Sequence, residues 1–208
     1  EFRAEHEGES LPLLINAIAA PKIHRDAVKK LYHEVAWARR TRLLETDSLS
    51  AANIDEAQKD MRRVVGGMLV QSRDLVGVDE STLNFVSDRD PTDDQKRDLI
   101  FAWLCAKHVR STAAVLAVDR SLVGVSGGQP AREDAVEMAL RKSGSRARGA
   151  VLALDGVVES AGLVACAAEE GVEAIIQPGG AENDQDVIRA ADRHEIVMAL
   201  TGTRHFKH

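Results

Sequence analysis

The chain has 208 residues, 44% of them hydrophobic and 29% charged, with a formal net charge of −6. The length suits one substantial core or two small lobes, and the composition is that of a soluble globular protein. The negative balance argues against a nucleic-acid partner, because a phosphate backbone is held by clustered Lys and Arg.

Residues 1–10 are polar and acidic and are predicted to be disordered. Glu1-Phe2, with no initiator Met, reads as a processed or cloned start. An apolar run from Leu11 to Ala20 stops at Pro21. From His24 to about Leu44, Val28, Leu31, Val35 and Ala38 recur at helical spacing, and Arg39 to Arg42 place positive charge where a helix dipole favours it. The polar stretch 45–60 reads as a loop, and Val64 to Gln71 as strand-like. Asp90-Pro91-Thr92-Asp93-Asp94 is a helix start, with Thr92 as the cap and carboxylates in the first turn. That helix is predicted over 93–108, with Leu99, Ile100, Trp103, Leu104 and Lys107 on one side.

A hairpin-like pair follows, Ala113 to Val118 and Leu122 to Val125, joined by Asp119-Arg120-Ser121. From Ser126 the order is a glycine loop, helix 131–142, strand 149–154, helix 160–170, strand 173–177, helix 183–194 and strand 196–200. Such alternation predicts an α/β fold with a mainly parallel sheet and helices on its faces. No apolar stretch reaches the ~18–20 residues of a membrane span and no signal peptide precedes the first helix, which predicts a cytoplasmic protein with no membrane association. Cys105 and Cys166 lie in separate apolar helical stretches and read as reduced, buried thiols, and no zinc or other metal cluster is predicted.

Polar or glycine-rich residues close several apolar runs near the end of the chain: Asp155 after Val151 to Leu154, Gln177-Pro178-Gly179-Gly180 after Ala174 to Ile176, and Thr201 to His208. In alternating α/β sheets, ligands sit beyond the carboxyl ends of the strands. Gly124 to Gln129 lies between a strand and a helix, where backbone N–H groups can face an anion; a plain tight turn is the other reading. Gln177 to Gly180, before Asn183 and Asp184, is a second cradle, or a Pro-Gly turn with an N-cap. Lys107-His108 is a candidate general acid/base pair, or a solvated Lys beside a helix-terminal His; adjacent helical residues point ~100° apart. The basic runs Arg39 to Arg42 and Arg141 to Arg148 read as solvated helix ends or loops.

Taken together, Pro91 to Thr112, Gly124 to Arg132, Asp155, Gln177 to Gly180 and Arg204 to His208 resemble the carboxyl-terminal part of the AICAR transformylase domain of the bifunctional AICAR transformylase/IMP cyclohydrolase family, over about residues 12–208. The resemblance implies a cytidine-deaminase-like layered fold, with a mainly parallel mixed sheet and helices on both faces. It divides the chain into a disordered or tag-derived 1–10, a helical and connecting region 11–90, and a transformylase subdomain 91–208. It further implies formyl transfer to AICAR or a similar heteroaromatic amine, with 10-formyltetrahydrofolate as donor, in a homodimer or with a complementing chain.

The catalytic candidates are then Asp155, Lys107 and His108. The substrate-binding candidates are Thr112, Gln129, Arg132, Gly179, Gly180, Arg204 and Phe206. There are departures from the family. Thr112 stands where an Asn contacts substrate, Val157, Val158 and Ser160 stand where aromatic residues line the folate pocket, and no Lys-His-x-x-Pro-x-Gly phrase occurs in residues 1–90. These departures keep two alternatives open: a noncatalytic or partner-completed subunit, and a folate-independent enzyme of specialised metabolism.

Overall fold

A computed structural model describes residues 16–46, 59–78 and 80–208. The predicted disorder over 1–10, and most of the loop predicted over 45–60, lie outside the described residues. By contacts the chain divides into two compact units, 1–59 and 60–208.

In the first unit, β1 (Ala17–Ala20) pairs in parallel with β2 (Arg42–Glu45), and α1 (Arg25–Glu34) lies between them in sequence. The helix expected to reach Leu44 ends ten residues earlier than predicted, at Glu34. Val35 turns extended at φ −111° and ψ 105°, and residues Ala36–Arg40 form a 3₁₀ turn. The Tyr32 hydroxyl holds the return by donating to the Thr41 carbonyl at 3.0 Å. Pairing of Arg42 to Glu45 with β1 overrides the helical periodicity. Arg39, Arg40 and Arg42 are exposed, as expected of a solvated basic run.

The second unit opens with a hairpin, β3 (Lys59–Val64) and β4 (Gly67–Ser72), turned at Gly66 with φ 78°. Its main sheet has six strands in the order β5 (Asn84–Phe85), β10 (Val197–Leu200), β9 (Ala174–Gln177), β8 (Val151–Leu154), β6 (Ala114–Val118) and β7 (Ser121–Ser126). Only β8–β9 and β9–β10 are parallel; β5–β10, β6–β8 and β6–β7 are antiparallel. The sheet is therefore mixed but not mainly parallel. The β6–β7 hairpin, which turns through Asp119 and Arg120 at φ 49° and 54°, inserts antiparallel pairings that strand-helix alternation does not reveal.

Helices cover both faces. α3 (Arg132–Ser143), α4 (Ala161–Glu169) and α5 (Asp184–Arg193) pack over Leu116, Leu152, Leu154, Ile175 and Met198. On the opposite face α2 (Asp93–Ala106) sets Leu99, Ala102 and Trp103 against Val115, Ala153, Ile176 and Val197. Strand residues alternate between the two clusters, so β8 and β9 are buried on both sides and read as continuous apolar runs. Each fully buried Leu or Ile contributes ~1.5–3 kcal/mol by leaving water. The α2 start matches its sequence signal: Thr92 Oγ1 accepts from the Gln95 N–H at 3.1 Å while Gln95 Oε1 accepts from the Thr92 N–H at 3.0 Å. Among the described residues no helix is long and apolar enough to cross a membrane.

Candidate functional site

Sheet register brings the loops together. Ala114 pairs with both Leu154 and Ser126, and Leu200 pairs with Gln177. The segments before β6 and after β7, β8, β9 and β10 therefore leave the same end of the sheet. Between them lies a cleft of about 320 Å³ lined by Thr112, Pro130, Arg132, Glu133, Gly156, Val157, Glu159, Arg204 and Phe206.

Asp155, the first catalytic candidate, does not itself line the cleft but ties its walls together. It is 2% exposed, and its Oδ1 accepts from Arg132 Nη1 and from the Ala113 N–H, each at 3.0 Å. Its carbonyl accepts from the His205 N–H at 3.0 Å. One residue thus joins the β6 entry, the start of α3 and the tail after β10. Arg132 can lie across the chain only because the next residue is glycine: a Cβ on Gly156 would stand 2.2 Å from Arg132 Nη2. Arg132 also lines the cleft, where a guanidinium only partly committed to Asp155 suits phosphate or carboxamide oxygens.

Thr112 and Gln129 are joined through their backbones, each N–H donating to the other's carbonyl at 3.4 Å, and the Gly128 N–H donates to the Arg110 carbonyl at 2.8 Å. A Cβ on Gly127 would lie 2.3 Å from Val109 Cγ1, so this glycine lets the 107–112 segment press against the loop. Three of the loop's N–H or carbonyl pairings are thereby internal, and Gln129 positions Thr112 through the backbone without lining the cleft. The second cradle behaves similarly. Gly179 N–H donates to Gln177 Oε1 at 3.0 Å and Gly180 N–H to Asp184 Oδ2 at 2.7 Å, so the amides that would meet an anion already have acceptors. Gln177 Oε1 also takes the Val158 N–H at 3.0 Å, tying the β8 and β9 loops together.

Lys107 and His108 follow α2 but do not line the cleft. Lys107 Nζ donates to the Val76 carbonyl at 2.7 Å and lies 3.6 Å from Asp74 Oδ1. Burial, then the charges of Lys207 and Lys107, push the His108 imidazole below its ordinary 6.5. Cys105 and Cys166 are partly buried, and burial raises both thiols, which makes them weak nucleophiles.

The structure adds residues that sequence reasoning missed. Pro130, Glu133 and Glu159 line the cleft, and Asp74 hydrogen-bonds the His205 ring from 131 positions away. Pro130 lies within the quoted segment Gly124 to Arg132, and Glu133 and Glu159 stand close after quoted residues, so proximity in sequence was an available signal; for Asp74 no spacing or periodicity points to its partner.

The sequence model of the AICARFT/IMPCHase bienzyme matches residues 9–142. The bifunctional purine biosynthesis protein PurH of Rhodopirellula baltica is 42% identical over 197 residues, 94% of this chain and 37% of that protein. PurH of Bacillus thuringiensis strain Al Hakam is 38% identical over 196 residues, with the same coverage of 94% and 37%. The chain thus spans little more than a third of the length of these curated relatives. Among solved structures, RibD of Acinetobacter baumannii aligns with 50% of this chain and 33% of its own at 16% identity and a TM-score of 0.34, too slight a likeness to carry an argument.

Proposed function

The chain belongs to the AICARFT/IMPCHase bienzyme family, and we propose that its second unit binds AICAR or a closely similar phosphorylated aminoimidazole carboxamide as the acceptor half of a formyl-transfer site in purine biosynthesis. The observation that carries this is the convergence of Thr112, Arg132, Arg204 and Phe206, from two loops and the tail, on one cleft. Its charges are mixed in a way that fits such a ligand. Arg132 and Arg204 suit a phosphate, Glu133 and Glu159 accept from amine and carboxamide N–H groups, and Phe206 offers a face to the heteroaromatic ring. The mixed sheet with helices on both faces supports assignment to the cytidine-deaminase-like layered fold, and the reading includes a cytoplasmic setting and a homodimer or complementing chain.

The formyl donor implied by the family, 10-formyltetrahydrofolate, carries a flat pterin that needs flat apolar surface. The cleft supplies one aromatic ring, Phe206, while Val158, at 0% exposure, belongs to the core. These residues do not make a pterin slot by themselves. Because Lys107 and His108 stand outside the cleft lining, a second reading is favoured beside the first: the proton-moving pair comes from residues outside this sequence, in a partner-completed site.

Calorimetric titration of the full chain with AICAR tests the acceptor half. Binding that Arg204→Ala weakens about tenfold or more, as expected for a charge-assisted contact, supports the assignment. No binding of AICAR or its formylated product refutes it. Titration with 10-formyltetrahydrofolate then separates a complete site from a partner-completed one.

A further inference from the structure

Arg204 and Phe206 reach the cleft from the tail that follows β10, and exposure alternates along it: Arg204 and Phe206 are exposed and His205 is buried. Between them His205 turns inward and is 2% exposed, whereas Phe206 is 56% exposed. The His205 ring packs on Trp103, with centroids 4.7 Å apart and planes at 46°, and its Nδ1 is hydrogen-bonded to the Asp74 carboxylate. Facing a carboxylate, Nδ1 carries the proton. The same Asp74 lies 3.6 Å from the Lys107 ammonium, so it is held from two sides.

We infer that His205, through Asp74, is a positioning residue that sets the register of the tail and so delivers Arg204 and Phe206 to the cleft. An apolar slot over Trp103 alone would not select one register, since Phe206 is a larger apolar side chain and stands next in sequence. A one-residue slip would bury Phe206, or drive Arg204 inward, and exchange the cleft and core faces. Asp74 gives the buried Nδ1 a partner, and of the adjacent rings at 205 and 206 only His205 can bond it, which sets it against the Phe206 register. The backbone reinforces the choice: Ser111 N–H donates to the Lys207 carbonyl and Lys207 N–H to Ser111 Oγ, each at 3.0 Å, and Gln71 Nε2 donates to the Phe206 carbonyl at 3.1 Å.

That the register governs ligand binding rests on the reading of the cleft given above; that His205 governs the register does not, and amide hydrogen exchange of the full chain tests it without ligand. In His205→Leu the apolar packing is kept and the bond to Asp74 is lost. Protection at the amides of His205's position and Lys207 is expected to fall about tenfold to a hundredfold, the range of one hydrogen bond to a charged group, with α3, α4 and α5 unchanged. His205→Asn, whose amide N–H takes the place of Nδ1, is expected to recover most of that protection and most of the AICAR affinity lost in His205→Leu. Asp74→Ala, at a partly exposed position, provides the same loosening with the ring intact. Wild-type protection of the tail in both His205→Leu and Asp74→Ala overturns the inference. Failure of the wild-type chain to bind AICAR overturns the assignment of the cleft instead, and leaves the exchange result to decide the role of His205.

Discussion

Replacing Asp155 by Ala probes the residue on which the cleft is assembled. The substitution removes an oxygen that accepts from the Ala113 N–H and from Arg132 Nη1, each at 3.0 Å. Ala113 is 0% exposed, so its N–H is left without an acceptor, at a cost of ~1–3 kcal/mol. Breaking a fully buried ion pair costs ~3–5 kcal/mol, but the Arg132 side chain is 21% exposed and water recovers most of its solvation, so about 1 kcal/mol is assigned to that loss. The total is about 2–4 kcal/mol, a fall in Tm of roughly 5–15 °C for a unit of this size. Asp155→Asn keeps an acceptor for Ala113 and loses only the charge, so it should cost about 1 kcal/mol. Urea unfolding of the full chain, followed by far-ultraviolet circular dichroism, measures both. If the two variants lie within about 0.5 kcal/mol of each other, the Ala113 bond is not what Asp155 contributes and the reasoning fails.

Gly124→Ala would place a Cβ 2.4 Å from the Ala139 carbonyl oxygen, forcing β7 away from α3; a loss of ~1–3 kcal/mol is expected in the same unfolding assay, and an unchanged midpoint would refute the close contact. Thr92→Ala removes the α2 capping box and should cost ~1 kcal/mol. Burial, then Lys207 and Lys107, make His108 harder to protonate in the folded chain than in the unfolded one. Stability is expected to fall as pH drops below 6.5, until the folded imidazole also titrates, and His108→Asn should flatten this fall in a Tm series between about pH 7 and 5. Thr112→Asn restores a paired donor and acceptor at the cleft wall and is expected to raise AICAR affinity about threefold to tenfold by calorimetry.

Much of the second unit was legible because its signals are local. Thr92 with acidic residues behind it marked the start of α2, and Pro178-Gly179-Gly180 and the polar closures of the apolar runs marked strand ends where loops gather. The resemblance picked out Thr112, Arg132, Arg204 and Phe206, and the fold gathers these onto one cleft. Other features had no local signal. The apolar spacing of Val28, Leu31, Val35 and Ala38 favours a helix to Leu44, yet Leu43 and Leu44 pair with Ile18 and Ala19. Lys107-His108 looked like a catalytic pair as a dipeptide, but the end of α2 turns Lys107 toward Val76 and Asp74.

The order of most helices and strands, and which loops carry polar chemistry, follow from the sequence, because hydrophobic periodicity, caps and turn residues act over a few positions. What the assembled fold adds is the antiparallel docking of the predicted β6–β7 hairpin on β8 and the seating of His205 on Asp74 and Trp103. Both depend on contacts between residues tens of positions apart. Each is selected by which buried polar group finds a partner once the sheet has closed, and no local propensity encodes that.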